Sequence, residues 1–160
     1  MAQTGFMLSD EGRTITVLND SGTTAIVAGD LCYSATSNDV LTGTAASART
    51  AYAGGDVKVK TISCSATGNA TFLGVALEDI PADGYGNLAM EGVFIHPASA
   101  DLEAGDALMA NASTDNRLTK LADATTTVTT AVADNMRYKC GKALSGGSAA
   151  GKYIVWKLSL

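Results

Sequence analysis

The sequence predicts an all-β fold: a compact barrel-like or sandwich-like domain with a flexible N-terminal arm and one or two short helical turns. Short segments alternate apolar and polar residues at a period of two, which is the spacing of side chains along a strand. The composition includes 17 glycines in 160 residues and only 6% aromatic residues, which is typical of short strands joined by tight turns. Motifs also recur in the same order along the chain, and this predicts two related halves.

The recurrence is clearest between residues 74–93 and residues 141–160. Each segment contains a short apolar strand, a glycine-rich turn and a returning strand, which is the pattern of a hairpin. Without gaps, the two segments coincide at Gly74/Gly141, Ala76/Ala143, Leu77/Leu144, Ala82/Ala149 and Gly84/Gly151. Further upstream, the tripeptide Ala-Gly-Asp occurs at residues 28–30 and again at residues 104–106.

Glycine in these motifs allows a positive φ, and aspartate can accept hydrogen bonds from neighbouring amides. We therefore expect structural turn positions at Gly29, Asp30, Gly105, Asp106, Gly74 and Gly141. The order of the motifs predicts an arm at residues 1–12 and a single β domain at residues 13–160. Within that domain, the two pseudo-repeats span about residues 13–92 and 93–160.

Individual elements follow from local patterns. Residues 13–18 and 57–62 alternate at period two and predict strands, whereas residues 44–55 and 124–131 predict loops or an exposed edge. Residues 98–104 predict one helical turn capped by Ser99, and residues 131–136 suggest a second short helix. The last strand, 153–160, places Ile154, Trp156, Leu158 and Leu160 on one face, which we expect to be buried.

The charge pattern argues against a nucleic-acid partner. The formal net charge is −5, and no run of basic residues with interleaved aromatics occurs. The charge is uneven, because residues 135–160 contain no carboxylate but five basic residues: Arg137, Lys139, Lys142, Lys152 and Lys157. Solvated lysines that protect a sheet edge are the favoured interpretation. The alternative is a face that docks on an acidic partner.

The sequence predicts no metal, cofactor or membrane span. Cys32, Cys64 and Cys140 lie far apart, without metal-ligand spacing, so we expect free, half-buried thiols in a reducing cytoplasm. His96 is the only histidine, and we expect it to be a residue at the end of a strand. No stretch of eighteen apolar residues occurs, and the N-terminus lacks the regions of an ordinary export signal.

Catalytic patterns are weak. Residues 146–152 fit the G-x-x-x-x-G-K spacing of a phosphate-binding loop, but Tyr153 stands where a Ser or Thr hydroxyl belongs and a strand is predicted where a helix is required. Four carboxylates lie near one hairpin: Glu78, Asp79, Asp83 and Glu91. A hydrolytic carboxylate pair or a Ca²⁺ site built from them is kept as an alternative. Turn-forming and solubility roles are the favoured interpretation, so the protein is not expected to be an enzyme.

From residue 15 to the end, these motifs resemble a family of small tailed-phage proteins that includes capsid decoration, or cement, proteins and whose members have sometimes been labelled recombinase-like. The residues that carry the resemblance are the Ala-Gly-Asp repeats, Gly-Val-Ala-Leu at 74–77 and Gly-Lys-Ala-Leu at 141–144. The resemblance implies a β-rich, often trimeric protein that is made in the host cytoplasm. It would bind the major capsid protein outside the head, at threefold or quasi-threefold positions, and stabilise the shell without a cofactor, nucleic acid or membrane.

In that context, the apolar patch Phe6, Met7 and Leu8 is expected to contact the capsid, because the arm has no evident partner of its own. The alternative is that this patch packs on its own domain. Two other functions stay open: a tail, fibre or surface adhesin module, and a trimeric β hydrolase. The adhesin would require clustered aromatics, whereas the five tyrosines are dispersed along the sequence.

Overall fold

The computed structural model describes residues 6–9, 12–20, 22–34, 58–61, 72–111, 116–121 and 139–159, and within these ranges it contains no helix. The all-β prediction is therefore confirmed. Eleven strands lie in the described ranges: β1 (Phe6–Ser9), β2 (Thr14–Asn19), β3 (Leu31–Ser34), β4 (Lys58–Thr61), β5 (Phe72–Ala76), β6 (Tyr85–Ala89), β7 (Glu91–Pro97), β8 (Ala107–Ala110), β9 (Leu118–Lys120), β10 (Gly141–Ala143) and β11 (Tyr153–Ser159).

The first sheet closes into a barrel in the order β2-β4-β3-β5-β6. Closure comes from β2, which pairs with β6 in the antiparallel sense and with β4 in the parallel sense. Inside it, a cluster of small and aliphatic side chains is almost fully buried: Val17, Ile26, Cys32, Ala76, Ile80 and Leu88. Asn19 is also buried, and its amide donates to the carbonyls of Thr24, Ile80 and Pro81 at 2.9 to 3.1 Å.

The second sheet is open and has the order β1-β7-β11-β10-β8-β9. Its centre is the antiparallel pair of β7 and β11, which runs from Pro97 opposite Tyr153 to Glu91 opposite Ser159. Along β11, burial alternates as the period-two pattern predicts, and Ile154, Trp156 and Leu158 are at most 1% exposed. Leu160 lies outside the described residues.

The two sheets repeat one arrangement. In the first half the neighbours run β2-β6-β5-β3-β4, and in the second they run β7-β11-β10-β8-β9. Matching backbone hydrogen bonds support this correspondence. The amide of Gly29 donates to Ala76 at 2.8 Å and that of Gly105 donates to Ala143 at 2.9 Å, while Ile26 bridges Ile80 as Leu102 bridges Gly147. The pseudo-repeat boundary near residue 92 stays a prediction.

The ungapped alignment of the two hairpins is wrong in its second part. The turn bond from Gly84 N to Pro81 O corresponds to the bond from Lys152 N to Ala149 O, which is displaced by one residue from the sequence alignment. The left-handed positions shift in the same way, because Asp83 (φ 56°) corresponds to Gly151 (φ 82°). The second turn therefore contains one additional residue, and Gly84 and Gly151 are not equivalent.

Two local expectations also differ from the structure. Residues 98–104 form no helical turn, because the amides of Ala98, Ser99 and Leu102 donate to carbonyls of distant segments instead. Ser99 Oγ donates to the Leu118 carbonyl at 3.2 Å and caps nothing. The predicted features at residues 44–55, 124–131 and 131–136 lie outside the described residues.

Gly74 and Gly141 were expected in turns but lie within β5 and β10. Glycine is needed at both positions because the backbone of a neighbouring strand lies too close to leave room for a side chain. A Cβ on Gly74 would lie 2.2 Å from the Ala89 carbonyl oxygen, and one on Gly141 would lie 2.1 Å from that of Lys157. Gly29 and Gly105 do occupy turns, with φ of 89° and 101°.

The N-terminal segment has a partner within the chain, contrary to expectation. The main chain of β1 pairs with β7 in the antiparallel sense, with Phe6 opposite Ile95 and Met7 opposite Phe94. In the strand order of the sheet, β1 is terminal. The segment therefore extends the second sheet and leaves its outer edge without a described neighbour.

Candidate functional site

Three of the four carboxylates near the first hairpin make contacts within the fold, and Asp83 occupies a turn with φ 56°. Glu78 Oε1 accepts from both the backbone and side-chain nitrogens of Asn87 at 3.0 Å, and Asp79 Oδ1 accepts from the Ala28 amide at 2.8 Å. Glu91 lies 2.6 Å from Arg13. No group of three metal-ligating side chains is found within the described residues.

The P-loop-like segment is a turn followed by a strand. Gly147 forms an isolated β-bridge with Leu102, the bond from Lys152 N to Ala149 O closes a turn, and β11 begins at Tyr153. With a strand in this position, no helix N-terminus can hold a phosphate. Residues 101–104 and 146–148 line a shallow depression of about 490 Å³.

The two described cysteines are free thiols and are completely buried, not half-buried as expected. Burial raises the pKa of Cys140 to about 12 and raises that of Cys32 further, with Asp30 adding to the effect. A thiol that stays protonated is a poor nucleophile and a poor metal ligand. Cys64 lies outside the described residues.

The Ala-Gly-Asp motifs form two equivalent carboxylate-stabilised turns. Asp30 Oδ2 accepts from the Val27 amide, and Asp106 Oδ2 accepts from the Glu103 amide, each at 2.9 Å. The second oxygen of Asp106 lies 2.9 Å from Lys120 Nζ. The Glu103 amide, followed by Lys120, holds the pKa of Asp106 below its usual value.

In the first half, the same turn forms a buried junction with the second half. Asp30 Oδ1 accepts from Asn116 Nδ2 at 2.6 Å, and Asn116 Oδ1 accepts from the Leu31 amide at 2.9 Å. Asn116 has a φ of 54°, a conformation that asparagine tolerates better than most residues. Its side chain therefore links two segments 86 residues apart.

His96 forms the second part of the junction. Trp156 Nε1 donates to His96 Nδ1 at 3.0 Å, and His96 Nε2 lies 2.7 Å from the Gly29 carbonyl oxygen. Because an indole nitrogen only donates, Nδ1 is the acceptor and the imidazole proton resides on Nε2. His96 lies near the end of β7 as expected, but its side chain is completely buried.

Burial lowers the pKa of His96 to about 4, and the hydrogen bond to Gly29 opposes this only in part. The ring is therefore neutral at neutral pH. With both nitrogens occupied by the Trp156 indole and the Gly29 carbonyl, it is a structural group and not an available base. Nothing in the one-dimensional pattern indicated this role, because its partners lie 60 and 67 residues away.

The exposed surface carries the remaining candidate groups. The large hydrophobic residues exposed in the described part of the chain are Val27, Tyr85, Leu144 and Tyr153. The two tyrosines begin the corresponding strands β6 and β11, one in each half. Lys139, Lys142 and Lys152 are exposed, whereas Lys157 is half-buried. No described helix is long and apolar enough to cross a membrane.

The described residues form two all-β halves of one arrangement, joined by a buried polar junction. Residues 50–158, more than half of the chain, match the phage cement protein family, and the chain belongs to that family. It is accordingly a structural protein of the phage virion.

A solved structure is similar in fold: the N base of the head fibre protein gp8.5 of bacteriophage phi29. The TM-score is 0.50 at 14% sequence identity, and the match covers 92% of this chain and 93% of that chain. No curated protein sequence matches this chain. The likeness to the phi29 protein therefore concerns the fold, and the family assignment rests on residues 50–158.

Proposed function

We propose that the protein is a capsid decoration protein that binds the outside of the phage head and stabilises the shell without catalysis. The match of residues 50–158 to the phage cement protein family carries this proposal. The partner is the major capsid protein. The protein acts as a homo-oligomer, which we propose to be a trimer.

The experiment uses heads of the phage that encodes the chain, prepared without this protein. Purified protein is added back, and binding is measured by cosedimentation, while head stability is followed by the temperature at which DNA is released. We expect saturable binding at the outer surface and a higher release temperature. Absence of binding to intact heads would refute the proposed function.

We further propose that the N-terminal segment contributes to capsid binding through β1. Its main chain pairs with β7 on one side, and the strand is terminal in its sheet. A terminal strand can accept a strand from another chain, since its outer amides and carbonyls are available for pairing. The residues concerned are Phe6, Met7 and Leu8.

Deletion of residues 1–9 tests this contribution, and deletion of residues 1–4, which leaves β1 complete, is the matched control. We expect both proteins to fold and to keep their oligomeric state. The longer deletion should bind heads much more weakly, whereas the control should bind like the full chain. Undiminished binding after the longer deletion would show that β1 is not a capsid contact.

A further inference from the structure

The first half has an apolar outer surface that the second half covers. Leu31, Val75 and Ala89 are neighbours across β3, β5 and β6, because Val75 pairs with both of the others. All three are 0% exposed and belong to the same buried cluster as Phe94 and Trp156. Leu77 packs against that cluster. In the first half, this surface therefore binds protein, namely the second half of the same chain.

The register identifies the equivalent surface of the second half. There Lys142 pairs with both Ala107 and Lys157, as Val75 pairs with Leu31 and Ala89. The amide of Leu144 donates to Val155, as that of Leu77 donates to Asn87. The equivalents of Leu31, Val75, Leu77 and Ala89 are therefore Ala107, Lys142, Leu144 and Lys157, which we call the lysine face.

On the lysine face, two positively charged residues replace two buried apolar residues. Lys142 stands in the place of Val75 and is exposed, and Lys157 stands in the place of Ala89. Leu144 keeps the leucine of the first half but is 48% exposed. The face has therefore kept part of its apolar character while its charge has changed.

The apolar surface continues beside the lysines. In the first half, Thr16 and Asn87 occupy the outer positions of paired strands, and their side chains lie 3.0 Å apart in an exposed contact. The matching pair in the second half is Ile95 and Val155, which are opposite each other and half-buried. A polar pair has thus been replaced by an aliphatic pair next to Leu144. Apolar surface rimmed by polar residues is typical of protein-binding sites.

We propose that the lysine face binds an acidic, partly apolar surface of the capsid shell protein, an inference that rests on the proposed function. Lys142 is exposed on this face, and carboxylates of a partner would form charge-assisted hydrogen bonds with its ammonium group. A purely apolar partner would desolvate the ammonium group of Lys142 without compensation, which is unfavourable. Leu144, Ile95 and Val155 supply the apolar part of the contact. Lys142 of the basic C-terminal segment therefore lies on a docking face for an acidic partner, whereas Lys152 lies outside it.

The test compares matched variants in cosedimentation with heads. Lys142→Glu reverses a charge on the lysine face, and Lys152→Glu makes the same change at an exposed position in the turn. Leu144→Ser removes an exposed apolar group from the face, and Val27→Ser does so on the first half, where the side chain is 44% exposed. We expect at least tenfold weaker binding for each change on the face and less than a twofold change for each control.

Failure of the proposed function and failure of this inference give different results. If the wild-type protein does not bind heads, the proposed function fails and this inference fails with it. If the wild-type protein binds and Lys142→Glu and Leu144→Ser bind equally well, only the inference is overturned. It is also overturned if these variants change the oligomeric state in sedimentation velocity while head binding stays the same, because the occupant is then a second copy.

A second measurement does not depend on any variant folding. Lysines of the wild-type protein are acetylated with and without heads, and the modification is quantified at each position by mass spectrometry. We expect head binding to protect Lys142 at least fivefold more than Lys152. Equal modification of Lys142 in free and bound protein would overturn the proposal.

Discussion

His96 should make the protein sensitive to acid. Its Nδ1 must be unprotonated to accept from Trp156, and its Nε2 contacts Gly29 of the other half. Protonation would therefore break the Trp156 bond and place a charge in the buried junction. We expect the free energy of unfolding to fall as the pH falls, and substitution of His96 by glutamine, which does not titrate, to remove that part of the fall.

The magnitude follows from the pKa of His96 in the two states. Its value is 6.5 in the absence of burial and about 4 in the folded protein. A depressed folded pKa means that the unfolded chain takes up the proton first, so stability is fully present above pH 6.5 and is lost between pH 6.5 and pH 4. At about 1.4 kcal/mol per pKa unit, the loss is about 2 kcal/mol at pH 5 and about 3 kcal/mol at pH 4.

Urea unfolding of the wild-type protein and of His96→Gln, at intervals from pH 7.5 to pH 4, measures this loss. The variant will be less stable at neutral pH, so the relevant quantity is the change in unfolding free energy with pH. Carboxylates titrate in both proteins and largely cancel in the difference between the two curves. If both proteins lose the same free energy between pH 7 and pH 4.5, the assignment of the acid sensitivity to His96 is wrong.

Further predictions concern packing, polar contacts and catalysis. Trp156→Ala should cost about 3 to 5 kcal/mol as a large-to-small core change, and an unchanged denaturant midpoint would contradict it. Gly141→Ala should cost about 1 to 3 kcal/mol through overpacking. In Gly12→Ala no atom lies within 4 Å of the added Cβ, so thermal melting should show only the loss caused by the positive φ of 86° at that position. Asn116→Ala should cost about 2 kcal/mol or more by removing its buried hydrogen bonds to Asp30 and to the Leu31 amide, and unfolding curves of equal stability would argue against this. Calorimetry should detect no saturable ATP binding, and binding abolished by Lys152→Ala would prove the P-loop interpretation correct. Ester and glycoside hydrolysis should be absent with and without divalent metal, whereas metal-dependent turnover would favour the hydrolase alternative.

Local patterns were sufficient to predict the class of fold. Period-two alternation in residues 153–159 corresponds to alternating burial along β11, since each second side chain of a strand faces the core. The order of the repeated motifs anticipated the shared hydrogen bonds of Gly29 and Gly105. An ungapped alignment missed the additional residue before Gly151, because alanine and glycine matches recur by chance at nearby positions.

Features that depend on distant partners could not be predicted. Local preference favoured a helical turn at residues 98–104, but bonds to Leu118 and Gly147 provide better partners for its amides. From the sequence, Asn116 is an ordinary turn residue and His96 an ordinary residue at the end of a strand. Their structural roles depend on hydrogen bonds to residues 60 or more positions away. Gly141 was expected in a turn, whereas glycine is required there within β10 by the Trp156 ring and the Lys157 carbonyl beside it.

The unequal division of the core has a consequence for the order of folding. The buried cluster inside the closed barrel contains residues of the first half alone, whereas the cluster of the second half includes Leu31, Val75 and Ala89. During synthesis the first barrel can therefore assemble before the second half has left the ribosome, and it then provides the surface on which the second half condenses. β1 emerges first from the ribosome, but it pairs with β7 and can do so only after that strand of the second half has emerged. Ribosome-bound chains from which residues 1–90 have fully emerged should already be compact and resistant to protease, with their N-terminal strand still open to cleavage.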